Sequence, residues 1–196
     1  MDLLYLKARE NLLTAGSDDC QGFFVKNNCL LELAYYNLFH QDTLNARKIF
    51  LSLTDSDIRA HWGAFITSIC DKNVSGYPSY LELRNFFEID FNIMFNYYLG
   101  DYIEEICKYA DWLVTINPEV YKYIGRVFIK NKYPDFGLFF LERGINFFYN
   151  DPELHYLLAE HYLSVSDKGN AKKYAESCLK VLPEYYPAEK ILDELT

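Results

Sequence analysis

The C-terminal half of this chain repeats a pattern of prolines and small residues after an interval of 34 residues. Asn117-Pro118-Glu119 opens one copy, and Asp151-Pro152-Glu153 opens the next. Three pairs of small residues keep the same interval: Gly125 with Ala159, Gly137 with Ala171, and Gly144 with Cys178. A fixed period of this length indicates stacked supersecondary units rather than one globular core. The pattern therefore predicts a binding surface and argues against a catalytic pocket.

The composition excludes several classes of partner. The chain has 196 residues, of which 51% are hydrophobic, so it is long enough to bury a core. Its net charge of −9 lacks the basic footprint of a nucleic-acid binder and disfavours an anionic membrane surface. No apolar stretch approaches the roughly 18 uncharged residues that a membrane span needs, so we expect no membrane insertion. The cysteines show no CxxC spacing, and we expect a cytoplasmic protein without metal or cofactor.

The chain is predicted to be all-α, because no segment alternates apolar and polar residues as a strand would. Pro118 and Pro152 suit the first turn of a helix, where a missing N–H has no intrahelical partner. The predicted helices cover residues 2–14, 23–39, 43–53, 62–71, 78–87, 90–99, 102–116, 119–130, 135–148, 153–164, 170–181 and 188–195.

The repeated residues resemble the tetratricopeptide repeat, whose first helix carries an aromatic, Leu-Gly and Tyr, and whose second carries Ala-x3-Phe. The copy that begins at Pro152 carries His155, Leu158-Ala159, Tyr162 and Ala171-x3-Ala175. The copy that begins at Pro118 carries Tyr121, Ile124-Gly125, Phe128 and Gly137-x3-Leu141. A copy upstream carries Leu30, Leu33-Ala34 and Ala46-x3-Phe50.

The resemblance implies an all-α, right-handed superhelical solenoid of about five antiparallel helix pairs plus terminal helices. It implies a single repeat domain over residues 1–196. That domain would comprise an N-terminal helix and linker (1–26), degenerate repeats (27–117), two well-matched repeats (118–185) and a capping helix (186–196). Small residues would let paired helices cross closely. They are Ala34, Ala46, Gly125, Gly137, Gly144, Ala159, Ala171 and Cys178.

The resemblance also implies a concave groove, built mainly from the first helix of each pair. The positions that match the family's inward-facing residues are Tyr35, Leu38, Phe39, Met94, Tyr97, Tyr98, Lys122, Arg126, Ile129 and Tyr156. Lys122, Arg126 and Lys130 are spaced i, i+4, i+8 and form a basic stripe. The stripe is either a solvated helix face or a site for a carboxylate of the partner.

No catalytic motif is present, and His155 occupies the aromatic position of its repeat, so we expect a structural histidine and no enzyme. The preferred hypothesis is an adaptor that holds a peptide or helix of another protein in the groove. A cytoplasmic chaperone for a secreted or assembly-prone client is an alternative. A structural subunit of a larger complex or homodimer is another, and it would dock through the N-terminal helix, where Leu3, Leu4 and Tyr5 lie.

Overall fold

The computed structural model describes residues 3–16 and 20–195, and within these ranges the chain consists of helices, turns and loops without a strand. The all-α prediction is confirmed. The chain divides into two compact units, Met1–Trp112 and Leu113–Thr196, which we call the N-terminal unit and the C-terminal unit. The right-handed superhelix and the division into repeats stay predictions.

Nine α-helices and one π-helical stretch begin in the described part of the N-terminal unit. They are α1 (Leu3–Thr14), α2 (Gln21–Lys26), α3 (Leu30–Phe39), α4 (Thr43–Leu53), α5 (Ile58–Cys70), α6 (Tyr80–Glu82), the π-helical Leu83–Phe87, α7 (Glu88–Asn96), α8 (Gly100–Lys108) and α9 (Ala110–Leu113). The C-terminal unit contains α10 (Val120–Lys130), α11 (Pro134–Phe147), α12 (Pro152–Ser164), α13 (Lys168–Val181) and α14 (Tyr186–Glu194).

Aspartate side chains begin several helices, because their carboxylates accept backbone N–H groups that have no intrahelical partner. Asp42 accepts from the N–H of Asn45 at 3.2 Å and so begins α4. Asp167 accepts from the N–H of Asn170 at 3.0 Å and so begins α13. These local contacts explain why the helices that start at Thr43 and Lys168 follow an aspartate directly.

Four predicted helices are wrong in their extent. The predicted helix over residues 23–39 is two helices, because Asn28 adopts a left-handed φ of 53° between them. The helices predicted over 78–87 and 90–99 form one continuous path through the π-helical Leu83–Phe87. Asp90 was interpreted as a helix start, but its side chain is fully buried in the middle of this path. The helix predicted over 102–116 is divided between α8 and α9.

The turns that follow α7, α10 and α12 share one backbone conformation. Tyr98, Lys132 and Ser166 have left-handed φ values of 56°, 70° and 62°, and they are spaced by 34 residues. In each turn the next residue donates its N–H to a carbonyl near the end of the preceding helix, as Tyr133 does to Phe128 at 2.9 Å. The turn therefore keeps the 34-residue period upstream of Pro118, whereas the small residues lose that period there.

Helices α10 and α11 cross at two facing glycines. A Cβ added to Gly137 would lie 2.9 Å from the carbonyl oxygen of Gly125, which is closer than real Cβ atoms come. A Cβ added to Gly125 would lie 2.6 Å from a methyl carbon of Leu141. Gly144 is less constrained, since its added Cβ would make ordinary contacts at 3.4 Å. The two backbones can approach this closely only because Gly125 and Gly137 lack side chains.

The other small residues of the repeat pattern are fully buried. They are Ala34, Ala46, Ala159, Ala171 and Cys178. Ala159 and Cys178 share one apolar cluster of the C-terminal unit with Ala175, Ala188 and Ile191. Burial raises the pKa of the Cys178 thiol to about 11, so the side chain stays protonated and packs as a small apolar residue.

Candidate functional site

A cleft of about 430 Å³ opens in the N-terminal unit, among α1, α3, α5, the π-helical stretch and α7. Most of the side chains around it are apolar, and Arg9, Glu32 and Arg59 add charge. The residues that line it are Arg9, Leu12, Leu13, Leu31, Glu32, Tyr35, Phe39, Arg59, Asn85, Phe86, Ile89 and Ile93. Its size and mixed lining are typical of a ligand pocket.

The walls of this cleft follow from helical spacing. Leu31, Tyr35 and Phe39 are four residues apart on α3, so they share one face of that helix. Ile89 and Ile93 share a face of α7 for the same reason. Ile93 is buried, whereas Ile89 is 53% exposed. The cleft therefore has a packed base and an open, apolar rim.

Helix α1 is attached to the rest of the unit by side chains that satisfy its last carbonyl groups. The hydroxyl of Tyr97 donates to the carbonyl of Leu12 at 2.8 Å, and the amide of Asn96 donates to the carbonyl of Leu13 at 2.9 Å. Burial raises the pKa of Tyr97 to about 12, so its hydroxyl remains a donor at neutral pH. These bonds hold the wall that α1 contributes to the cleft.

Arg59 lies between two aromatic rings of the cleft. Its guanidinium carbon is 4.6 Å from the ring centre of Tyr35 and 4.6 Å from that of Phe86. The guanidinium also donates to the carboxylate of Asp90, which is fully buried and accepts the indole N–H of Trp62 at 2.7 Å. Stacking and ion pairing together fix the side chain of Arg59 in one orientation.

The Asp90 carboxylate is held in an unfavourable environment. Burial raises its pKa, and this effect outweighs the opposing influence of the Arg59 guanidinium and the Trp62 indole N–H. A buried carboxylate of this kind needs its partners, because an unpaired charge in an apolar interior is costly. The network therefore ties α5 to α7 beneath the cleft.

The groove residues predicted in the N-terminal unit do not lie together on one exposed surface. Tyr35 and Phe39 line the cleft, although both are largely buried. Leu38 and Met94 are fully buried, so the assignment of these two side chains to an exposed groove is corrected. The reason is that both lie on core-facing sides of their helices. Tyr98 is 93% exposed in the turn after α7, away from the cleft lining.

Two of the three cations in the predicted basic stripe of the C-terminal unit, Lys122 and Arg126, are already paired with carboxylates of this chain. Lys122 is only 5% exposed, and its ammonium lies 2.5 Å from a carboxylate oxygen of Asp151. Glu119 and Glu153 each place an oxygen 3.0 Å from the same ammonium. Arg126 pairs with Glu153 as well. The prediction that these cations bind a carboxylate has the right chemistry, but the carboxylates belong to the same unit.

The charge states in this cluster follow from its contacts. Burial alone would lower the pKa of Lys122, but the hydrogen bonds to Asp151 and Glu119 outweigh it and raise that pKa. For Glu119, burial acts to raise the pKa, but the hydrogen bonds from Lys122 and Tyr123 outweigh burial and lower it. Lys122 and Glu119 therefore both stay charged near neutral pH.

The remaining predicted groove residues of the C-terminal unit pack at the edges of apolar clusters. Ile129 packs against the cluster of Leu141, Leu154 and Leu158. Tyr156 packs against the cluster that contains Ala159 and Cys178, and its ring centre is 5.6 Å from that of Tyr185. Both side chains are partly buried, so each presents only part of its surface.

Sequence reasoning missed Arg59, Phe86 and Ile89, and it interpreted Asp90 as a helix start. A signal for Asp90 was present, because the residue is surrounded by apolar neighbours in the stretch Phe87–Met94. A carboxylate on the apolar side of a helix implies a buried cation or donor. No comparable local signal identifies Arg59, because its partners lie 24 and 31 residues away in the chain.

The described residues offer neither a metal-binding cluster nor a helix that could cross a bilayer. Within residues 3–16 and 20–195, no group of three or more His, Cys, Asp or Glu side chains is arranged to hold a metal ion. Over the same ranges, no helix combines the length and the apolar character that a bilayer crossing requires.

Comparisons with known proteins give a structural likeness but no sequence relative. No protein-family model and no curated protein matches this chain. Among solved structures, it is similar to a chain in the crystal structure of the APC/C hetero-tetramer Cut9-Hcn1, with a TM-score of 0.42 and 15% sequence identity. The match covers 98% of this chain and 45% of that chain, so this chain spans less than half of its length.

Proposed function

We propose that this protein is a helical-repeat interaction scaffold that binds a peptide or helix of a partner protein in the cleft of its N-terminal unit. The observation that supports this most directly is an open, mostly apolar cleft with the Arg59 side chain locked at its base. Apolar anchors in pockets of this kind provide most of the affinity of protein interfaces. We also propose that the protein is cytoplasmic and has no catalytic activity.

The chemistry of the cleft favours an apolar anchor over an acidic one. The charge of Arg59 is already paired with Asp90, so the guanidinium has little attraction left for an acidic ligand. Leu31 and Ile89 instead offer aliphatic surface. Because Arg59 is held between Tyr35 and Phe86 before any ligand arrives, little side-chain entropy is lost on binding. We therefore expect a partner segment that inserts a leucine, methionine or aromatic side chain.

A structural subunit is the second candidate, and one observation favours it. Leu3 on α1 is 79% exposed, and Leu4 and Leu6 are exposed beside it. Exposed leucines on a terminal helix suit contact with a neighbouring subunit or a second copy. Light scattering at two protein concentrations tests self-association through α1. Co-purification of one dedicated, otherwise insoluble client would instead favour a chaperone that uses the same cleft.

The test of the cleft uses two isoleucines of equal exposure. Ile89 lines the cleft and Ile58 does not, yet each is 53% exposed. Peptides selected from a displayed library on the purified protein are titrated by calorimetry against the wild type, Ile89→Glu and Ile58→Glu. We expect Ile89→Glu to weaken binding by about tenfold or more, because a charge would have to be desolvated at the apolar rim.

Ile58→Glu is the matched control and should change the affinity by less than about twofold, since exposed substitutions outside an anchor pocket are nearly neutral. Equal losses in the two variants would mean that the selected peptides bind elsewhere. Failure to select any peptide whose binding depends on Ile89 would contradict the proposal directly.

A further inference from the structure

A second, smaller cleft of about 240 Å³ lies among α4, α5 and the loop that follows α5. It is separate from the first cleft, and the two share no lining residue. The residues around it are Arg47, Leu51, Thr54, His61, Ala64, Phe65, Ser75, Gly76 and Tyr77. None of them is acidic, although the chain has 28 acidic and 19 basic residues. Among these lining residues, the guanidinium of Arg47 therefore supplies the formal charge.

In the part of the chain that the structure describes, Arg47 differs from Arg59 and Arg126 because it is not paired with a carboxylate. Arg59 and Arg126 are each paired with a carboxylate. Within the described residues, the one polar contact of Arg47 is the hydrogen bond that it donates to the Ser75 hydroxyl at 2.7 Å. A guanidinium has five N–H donors, so most of them remain available for a ligand.

Ser75 is placed so that its hydroxyl can donate into the same cleft. Its backbone N–H donates to the hydroxyl of Ser68 at 3.1 Å, which fixes the loop against α5. The Ser75 hydroxyl oxygen accepts from Arg47, and its hydrogen is then available to a ligand oxygen. Arg47 and Ser75 together form a pair of donors that face one space.

His61 is oriented by a carboxylate behind it. Its Nδ1 bonds to Glu82, which is 2% exposed and also accepts the backbone N–H of Ser79 at 2.7 Å. Because a carboxylate only accepts, Nδ1 carries the proton of this bond. The ring is thereby fixed at the cleft, and Nε2 is left as its polar atom for a ligand.

The other side of this cleft is apolar. Phe65 and Leu51 belong to its lining, together with Tyr77, which packs edge to face on Trp112 at a ring-centre distance of 5.6 Å. Next to Tyr77, Gly76 has a left-handed φ of 81°, and an added Cβ there would meet open space. The cleft thus combines a cluster of polar donors with room for an apolar group.

We propose that this second cleft binds an organic phosphate monoester. A phosphoryl group has three terminal oxygens. Arg47 and Ser75 offer hydrogen-bond donors to them, and Nε2 of His61, whose proton is on Nδ1, can accept from the hydroxyl of a monoanionic phosphate. A carboxylate, with two oxygens, would use fewer of these groups. The organic part of the ester contacts Leu51, Phe65 and Tyr77.

Calorimetric titration of the full chain with phenyl phosphate tests this proposal, with benzoate as the carboxylate probe. Arg47→Gln should weaken binding of phenyl phosphate by about tenfold or more, as expected for a charge-assisted hydrogen bond. Lys48→Gln removes the same charge from the adjacent, exposed position and should change binding by less than about twofold. Ile89→Glu, in the first cleft, should leave it unchanged.

Amide chemical shifts of Ser75 and Gly76 in the wild-type protein provide a readout that needs no variant. Saturable shifts on addition of phenyl phosphate would support the site even if Arg47→Gln failed to fold. N-acetyl phosphotyrosine amide distinguishes the source of the ester, since tighter binding than phenyl phosphate indicates a phosphorylated protein side chain. Absence of saturable binding, equal losses in Arg47→Gln and Lys48→Gln, or benzoate binding as tight as phenyl phosphate would each overturn the proposal.

Discussion

The two helical hairpins of the C-terminal unit and the helices α7 and α8 of the N-terminal unit use the same turn but pack differently. In α10 and α11, Gly125 and Gly137 face each other, and the helices pack backbone against backbone. One period upstream of Gly125 stands Phe91, a large and fully buried side chain. The turn therefore determines the repeat length, whereas the residue at the crossing determines how closely the two helices approach.

The same contrast holds for the buried charges. In the C-terminal unit, Lys122 on α10 pairs with Asp151 and Glu153 at the start of α12, so a cation joins one hairpin to the next. In the N-terminal unit, Arg59 on α5 pairs with Asp90 on α7 and forms part of a cleft. Lys122 and Asp151 are almost completely buried, whereas Arg59 keeps part of its surface exposed at the cleft.

The largest effect is expected at the enclosed network. Replacement of Lys122 by Met should lower the free energy of unfolding by about 3 kcal/mol, because Asp151 would keep its buried charge without its cation. Lys130→Met, on the exposed end of the same helix, should change it by less than about 0.5 kcal/mol. Urea denaturation measures both, and similar losses would show that Lys122 does not stabilise the unit.

The pH dependence of the stability lost in Lys122→Met tests whether the ion pairs of Lys122 cause that loss. Because the pKa of Lys122 is raised by its partners, its stabilisation is complete below the ordinary lysine pKa and is lost only as the pH rises through the raised value. The lowered pKa of Glu119 has the opposite sign: its contribution is present above the ordinary pKa and is lost as the pH falls through the lowered value. The difference between wild type and Lys122→Met should therefore be constant near neutral pH and shrink in acid.

The helix crossing provides the second test of the comparison. Gly137→Ala should cost about 2 kcal/mol, because the new Cβ would clash with the backbone oxygen of Gly125, which cannot rotate away. Gly100→Ala, at the start of α8, has open space around its added Cβ and should be neutral or slightly stabilising. Thermal unfolding of both variants measures this difference, and an equal response would mean that the close approach at Gly137 is not needed.

The smallest effect is expected at the shared turns. Lys132→Gly and Tyr98→Gly should each stabilise the protein by about 0.5 kcal/mol, since glycine adopts a positive φ without the strain of a Cβ. Lys130→Gly, in a helix, should instead destabilise it by about 1 kcal/mol. A gain at Lys132 without one at Tyr98 would show that the turn is not equivalent in the two regions.

Much of the fold could be predicted from local patterns. Capping residues, prolines and apolar spacing predict the helical class and the hairpins after Pro118. They also predict the boundaries of α4 and α12 to within a residue. The break at Asn28 was not predicted, since it depends on the left-handed backbone conformation of that one residue. The π-helical Leu83–Phe87 was not predicted either, since its five residues continue the helical path without a breaking residue. For the candidate site, only Tyr35 and Phe39 were predicted in advance, because their spacing on α3 is a local property.

By itself, the sequence determined the all-α class and the 34-residue spacing of the C-terminal hairpins, because turns, caps and apolar periodicity act over a few residues. Only the tertiary structure decided which charged side chains pair with each other. Lys122 and Arg126 look like a free basic stripe along one helix, but two of their three carboxylates, those of Asp151 and Glu153, come from residues at least 27 positions later. The cleft at Arg59 likewise needs α1, α3, α5 and α7 to meet. The pairing of charged side chains and the formation of the cleft depend on which helices pack together. Burial between residues distant in the chain determines this packing, not local spacing.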